Sequence, residues 1–401
     1  MRPRSPRLTP GLLVVLAVIA AVGPLATDMY LPAFTEIADD LGSHPSSVQL
    51  TLTTFMLGLG LGQLFLGPLS DRWGRRGVLI GALSVFALSS IAMIFTPNVE
   101  LFIALRSVQG LSGAAGIVLT RAVISDTEKG PAAVRAFSLL AMMVAIAPLI
   151  APLAGGVISE HWGWRGTLAV VASVTVLMLV LACLFVQESL PLDQRHIGGV
   201  SRAFSNFARL VKDRQFVLLM VTVSMAFGSL LAYISASPFV AQVMLGMSPT
   251  QFSLAFAAGA LAMVSANLLN ARLAGRAQAT RMLLLGASLI VCAALTMTAF
   301  TVTSSLSAAS FIASAFVLSG GVALVMANTS ALALARAEFA RGSGSALLGA
   351  AQFLGGSIVS PIVGAWGEHT ALPMALTMLT TSTIAFVCVL VVLRARRQPT
   401  D

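Results

Sequence analysis

Gly67-Pro68-Leu69-Ser70-Asp71-Arg72-Trp73-Gly74-Arg75-Arg76 joins two apolar stretches, 47–69 and 77–96, each near the roughly 20 residues a helix needs to cross a bilayer. The decapeptide reads as a tight turn that sets one carboxylate at a helix end among three guanidiniums. Asp71 can pair with Arg72, with Arg75 or with a neighbouring helix N-terminus, latching one end of a helical bundle in one conformer. Arg75 and Arg76 alone would only mark a cytoplasmic side. The register of Gly67, Asp71 and Gly74 makes the turn specific.

The rest of the chain has the same character. Of 401 residues, 57% are hydrophobic and 10% charged, with a mean hydropathy of +0.92. A soluble domain carries about a quarter charged residues, so an ordinary cytosolic enzyme, a disordered protein and a disulfide-stapled secreted domain are excluded. Cys183, Cys292 and Cys388 lie inside apolar runs, and His44, His161, His196 and His369 fall in connecting segments without metal-ligand spacing. The net charge of +9 comes mostly from arginine, with only Lys129 and Lys212 as lysines. That bias reads as a GC-rich bacterial gene, and no nucleic-acid partner is expected.

Hydropathy and helix breakers predict twelve helices, near 11–34, 47–69, 77–96, 99–121, 134–158, 166–187, 214–240, 250–271, 280–300, 305–334, 343–366 and 371–394. Arg2, Arg4 and Arg7 before an apolar run suggest a signal peptide, but Gly11 to Phe34 exceeds the usual apolar core of about 7–15 residues, so a retained helix is expected. With the N-terminus inside, every basic residue except Arg106 and Arg165 faces the cytoplasm, while Glu36, Asp39, Asp40, Glu100, Glu160 and Glu368 lie outside. Both termini are therefore expected to be cytoplasmic.

The chain also repeats itself. Leu41-Gly42-Ser43-His44-Pro45-Ser46 recurs as Leu245-Gly246-Met247-Ser248-Pro249-Thr250, Pro32 has a counterpart in Pro238, and Pro152-Leu153-Ala154-Gly155 echoes Pro361-Ile362-Val363-Gly364. The nearly constant offset predicts two pseudo-symmetric six-helix halves, 1–187 and 214–401, joined by a charged loop over 188–213. Such halves place a substrate cavity between them near the membrane midplane.

Three stretches inside the predicted helices carry chemistry. Arg106 opens Arg106-Ser107-Val108-Gln109-Gly110. An ion inside the bilayer is costly and faces a wet cavity or a partner. Asp28 is the second embedded charge, at a similar estimated depth below the outer surface, so the two can meet or share a water. Burial and a nearby cation pull a carboxyl's proton affinity in opposite directions, the balance a proton–substrate exchange site needs. Ala147-Pro148-Leu149-Ile150-Ala151-Pro152-Leu153-Ala154-Gly155-Gly156 combines prolines and small residues into a bent helix that lets a neighbour approach.

Together these stretches resemble the major facilitator superfamily. Gly67–Arg76 resembles its signature cytoplasmic loop, Arg106-x-x-Gln109-Gly110 its proton-coupling motif, and Pro148–Gly156 its antiporter motif, with Ala147 and Ala151 in place of the usual glycines. The second-half loop with Arg272, Gly275, Arg276 and Arg281 has no acid. Ala26-Thr27-Asp28-Met29-Tyr30-Leu31-Pro32-Ala33 and Trp164-Arg165 are similar to the Bcr/CflA drug-resistance transporters. The specific motifs all lie in 24–166, and the C-terminal half matches by architecture alone.

The resemblance implies an all-α membrane protein with the major facilitator fold, working as a proton/drug antiporter of the bacterial inner membrane. It would be a monomer, not an enzyme, without cofactor or metal, with a drug-like small molecule, protons and lipid as partners. Asp28 would exchange a proton for substrate, tuned by Arg106. Gly67, Asp71, Arg72, Gly74, Arg75 and Arg76 would gate the cytoplasmic side, and Pro148, Pro152, Gly155 and Gly156 would form the hinge. Thr27, Tyr30, Gln109, Tyr233 and Asn267 are candidate cavity-lining residues. Gln63, Gln242, Asn270, Asn328 and Gln352 could line the cavity or join helices. Two alternatives stay open. One is export of a metabolite such as an amino-acid derivative. The other is an intramembrane enzyme, against which stand the lack of His-Glu-x-x-His, of an embedded histidine and of paired acids.

Overall fold

The computed structural model describes residues 8–192, 195, 199–273, 277–364 and 370–397. Arg2, Arg4, Arg7, His196, Gly275, Arg276, Glu368 and His369 lie outside the described residues.

Among the described residues the regular structure is helical, with eleven helical segments long and apolar enough to cross a membrane. The first span, 10–40, is α1 (Pro10–Ala20), α2 (Val22–Asp28), a 3₁₀ turn (Leu31–Ala33) and α3 (Phe34–Asp40). The sequence predicts one helix here. The structure breaks it after Asp28, where Pro32 cannot supply an amide to a continuing α-helix. Then come α4 (Pro45–Trp73), α5 (Arg75–Ile94) and α6 (Val99–Thr127). Asn98 caps α6 by accepting from the Leu101 amide at 3.0 Å.

The next helix, α7 (Gly130–Phe185), has 56 residues. Straight, it would be about 84 Å long, more than twice a hydrocarbon core of about 30 Å. It bends at Gly163, whose φ of 68° is open to glycine and strained for other residues. The two arms are the predicted fifth and sixth spans, which brings the crossings to twelve.

Residues 188–213, expected to be a loop, contain α8 (Gly199–Val211), an amphipathic helix with Phe204, Phe207 and Leu210 among its apolar residues. The second half follows as α9 (Arg214–Phe239) with a π-helical extension (Val240–Met244), α10 (Pro249–Leu273), α11 (Ala279–Val302), α12 (Ala308–Arg336), α13 (Arg341–Gly364) and α14 (Leu372–Arg397). The repeated hexapeptide forms the same turn twice: Gly42 and Gly246 have φ of 55° and 65°, and each turn leads into a helix beginning with proline.

Large apolar side chains such as Leu88, Phe95 and Leu184 point outward, as a lipid-facing surface requires. Inside, helices approach closely at small residues. A Cβ on Gly58 or Gly62 of α4 would run into the α6 backbone, and one on Gly110 of α6 would run into the Phe55 carbonyl. Between halves, α4 packs on α13 and α7 on α10. Counted as spans these are pairs 2–11 and 5–8, which a six-span shift exchanges, as a two-fold relation demands.

Candidate functional site

Twelve crossings among the described residues bring the start of α1 and the end of α14 to one end of the bundle, the termini end. At the opposite end the two halves are fastened together. Gln242 donates to the Pro32 carbonyl and accepts from Thr35, both at 3.0 Å, and Glu160 accepts from the Thr250 amide at 3.0 Å. Phe34 packs on Phe239. Gln242 is therefore a strap between halves, and Pro32 takes part through its free carbonyl.

Asp28 lies just below this closure, at the break of the first span, and is 8% exposed. Its Oδ1 accepts from the Thr27 hydroxyl at 2.9 Å. Arg106 is buried on α6. One of its nitrogens, Nη1, donates to the Ala26 carbonyl at 3.0 Å and to Gln109 Oε1 at 2.7 Å, and the guanidinium lies 3.7 Å from the Tyr30 ring centroid. Gln109 is oriented in turn by donating to Ser90 Oγ at 2.8 Å, and Ser90 donates to the Phe86 carbonyl. Thr51 donates to the Val48 carbonyl, which leaves the Tyr30 hydroxyl as donor to Thr51 at 3.0 Å.

Of the two expected arrangements, direct meeting of Asp28 and Arg106 or a shared water, the structure lacks the direct one. No ion pair joins them. The cation is drawn instead to the carbonyl that the broken first span exposes and to the face of Tyr30. Two of its nitrogens, Nε and Nη2, have no partner, and leaving a buried donor unpaired costs about 1–3 kcal/mol. The site thus holds a carboxyl without a cation on the first span and a guanidinium short of acceptors on the fourth.

The antiporter-like segment presses on this site. A Cβ on Gly155 would overlap the Met29 carbonyl, one residue beyond Asp28, whereas one on Gly156 would meet Ser253 of α10 in the other half. Adjacent glycines therefore let α7 pack tightly on the first span and on the opposite half at once. Pro148 and Pro152 stand in the same arm of α7. Trp164 and Arg165, just beyond the bend, both donate to Asp40 Oδ2, at 3.0 and 2.5 Å, which pins the turn to the end of the first span.

At the termini end the Gly67–Arg76 turn is engaged through Ser70, Asp71, Arg75 and Arg76. Gly74 separates α4 from α5 with φ 98°. Arg75 pairs with Asp71 at 2.5 Å and with Asp126 at 3.0 Å, and donates to Ser70 at 2.6 Å. Its amide donates to Glu188, and Arg76 donates to the Val186 and Cys183 carbonyls. Asp71 therefore takes Arg75 among its possible partners, and the turn fastens α4, α5, α6 and the end of α7, all in the first half. The second half has its own clamp. Arg336 at the end of α12 binds Asp213, the N-cap of α9, at 2.6 Å. Burial works to raise the Asp213 carboxyl, but Arg336 and the Phe216 and Gln215 amides outweigh it and hold it below the usual carboxylate range.

Arg75→Gln should lower stability by about 1–3 kcal/mol, because Asp71 and Asp126 are partly buried and would lose the only cation they have among the described residues. Arg72→Gln should leave the melting temperature unchanged, since Arg72 is exposed with no ion pair among the described residues. Thermal unfolding of the two variants in detergent checks this, and equal melting would refute it.

A cavity of about 350 Å³ opens between the halves towards the termini end, lined by Arg121, Asn267, Gln352 and Ser345 among others. Of the five predicted lining residues only Asn267 is on its wall. Tyr233 is buried between Phe256 and Phe311, and Thr27, Tyr30 and Gln109 belong to the Asp28–Arg106 site. Asn328 donates to Asn270 at 2.9 Å and joins helices, while Gln63 fits against Gly349. Sequence reasoning missed Thr51, Ser90, Asp126, Glu188 and Arg121. The sequence predicts a helix over 99–121 with Arg121 at its very end, whereas α6 runs on to Thr127. The apolar Ala122-Val123-Ile124 and the Gly130-Pro131 breaker beyond them were the available signal for a longer helix.

The model of the Major Facilitator Superfamily matches residues 16–360. An uncharacterized MFS-type transporter, YdgK, of Bacillus subtilis is 36% identical, with 93% of each chain covered. A bicyclomycin resistance protein homolog of Haemophilus influenzae is 31% identical over 91% of this chain and 92% of its own. Multidrug resistance protein D of Escherichia coli is 26% identical over 88% of each. These relatives agree with the Bcr/CflA resemblance of residues 26–33 and 164–165. Among solved structures, a partially occluded inward-open conformation of the xylose transporter XylE of Escherichia coli superposes with a TM-score of 0.73 at 15% identity, over 97% of this chain and 99% of that one. That likeness speaks to fold alone. With the twelve crossings, the two-fold pairing of spans and these matches in hand, the chain is a multi-pass membrane protein that belongs to the major facilitator superfamily.

Proposed function

We propose that this chain is a proton-coupled multidrug exporter of the bacterial inner membrane, with both termini in the cytoplasm and the fastened end outside. The observation that carries the reading is Asp28: an enclosed carboxyl with no cation partner, beside a guanidinium with two free donors. Among the described residues of this site, Asp28 supplies the carboxyl that can take and release a proton at this depth. As a carboxylate it has a use for the unpaired Arg106 donors. As a neutral acid it has less hold on them, and the first-span break between them is where the two arrangements can interchange. Proton loading is thereby tied to the shape of the first span, and through Gly155 to α7.

The exported class follows from relatives named for multidrug and bicyclomycin resistance. The positive-inside bias supports the orientation, and the closed outer end supports an inward-facing state. The protein needs no cofactor in this reading, since one charge moved through 100 mV supplies about 2.3 kcal/mol, enough for a roughly fiftyfold gradient.

The test is proton release from detergent-solubilised wild type on adding members of an antibiotic panel. Release that saturates with drug is expected. No release with any member, alongside release with an amino-acid derivative, would move the assignment to metabolite export.

A further inference from the structure

Among the described residues the cavity between the halves has one charged wall residue, Arg121, and no acid. Its volume of about 350 Å³ lies in the range of small-molecule sites, about 300–1,000 Å³. Arg121 belongs to α6 of the first half. The opposing wall comes from α9, α10, α12 and α13 of the second half, where Asn267, Ser345 and Gln352 offer neutral hydrogen-bonding groups and Met263 and Met326 offer adaptable apolar surface.

Arg121 has neither a hydrogen bond nor an ion pair among the described residues. The acid five residues further along α6, Asp126, is already held by Arg75 and Ser189. Arg106 is no substitute, because it stands fifteen positions earlier, roughly 22 Å up the same helix, and is enclosed by Tyr30 and Ala26. Arg121 is thus a solvent-accessible cation on the wall of a part-enclosed cleft, with no anion among the described residues paired to it. Guanidinium and carboxylate form strong, often bidentate, hydrogen bonds.

We propose, resting on the transporter reading above, that Arg121 makes this cavity an entry subsite for amphiphiles bearing a carboxylate next to an apolar ring. The carboxylate sits on Arg121, and the ring lies against the methionines of α10 and α12. Because the cation belongs to one half and the remaining wall to the other, an anionic ligand bridges the halves at the end where they stand apart.

The experiment uses the full chain in nanodiscs with two probes, naphthylacetate and naphthylacetamide, which share a ring and differ in charge. Wild type is expected to bind the acid at least about tenfold more tightly than the amide, the margin a charge-assisted bond supplies. Arg121→Gln is expected to remove that margin while changing amide binding by no more than about twofold, and Arg121→Lys to keep most of it. A monodisperse elution profile shows that each variant is folded. Equal binding of acid and amide by wild type, a parallel loss of both in Arg121→Gln, or no binding of either probe overturns the subsite. Drug-driven proton release, measured separately, keeps the two readings apart. Release without an acid preference leaves the exporter standing and the subsite fallen. An Arg121-dependent acid preference without release does the reverse.

Discussion

Asp28→Asn is expected to abolish concentrative transport in proteoliposomes while leaving exchange of substrate down its own gradient. The substitution keeps the size of the side chain and an oxygen able to accept from Thr27, now at 2.9 Å, so the broken first span has no reason to repack. It removes the one property the proposal depends on, a proton that can leave. At 100 mV a coupled cycle moving one charge can sustain a gradient of roughly fiftyfold, so the accumulation ratio should fall from that order to about one. Exchange should survive because it needs only alternation of the two halves with substrate bound. Asp28→Glu restores a carboxyl and should recover part of the gradient. Unchanged accumulation in Asp28→Asn would make Asp28 a structural helix-end carboxyl, with the coupling proton elsewhere.

That expectation could be framed from sequence because an acid in an apolar run is visible to anyone counting charges. The spans, the turn at Gly67–Arg76 and the repeated hexapeptide were legible for the same reason, since hydropathy and glycine or proline placement report directly on lipid burial and backbone freedom. Hydropathy does not report hydrogen bonds. The break at Tyr30–Ala33 was hidden because an interrupted helix in the membrane is as apolar as a continuous one. That break exposes the Ala26 carbonyl to Arg106, which takes it as a partner and makes no ion pair with Asp28. The last turns of α6 were hidden by their polar residues, which read as loop although Arg75 and Ser189 satisfy Asp126 there. The amphipathic α8 was lost inside a charged segment. Its contacts with both α4 and α13, through Phe204 to Phe65 and Asn206 to Ser343, exist only once the chain is folded.

Gly155→Ala is expected to be the most damaging single-methyl change in the first half. The added Cβ would overlap the Met29 carbonyl, which is backbone in a packed span and cannot swing aside as a side chain would. Either α7 or the first span must then move. Overpacking of this kind costs about 1–3 kcal/mol, which should appear as a lower melting temperature. The larger effect should be functional. Met29 follows Asp28, so the displacement falls on the carboxyl and on the carbonyl partner of Arg106, and small misplacements of reacting groups can cost about a hundredfold in rate. Drug-driven proton release should therefore fall by tenfold or more, about 1.4 kcal/mol per factor of ten, beyond any loss of folded protein. Gly77→Ala is the matched control, because nothing lies within 4 Å of a Cβ there and alanine favours the helix. Gly156→Ala separates the two faces of the motif. Its methyl presses on Ser253 across the halves, so it should loosen the fastened end of the bundle and change the balance of states while the Asp28 site stays intact. If Gly155→Ala melts and releases protons like wild type, the close approach of α7 to the first span has no part in coupling, and the small residues of the antiporter-like segment serve packing alone.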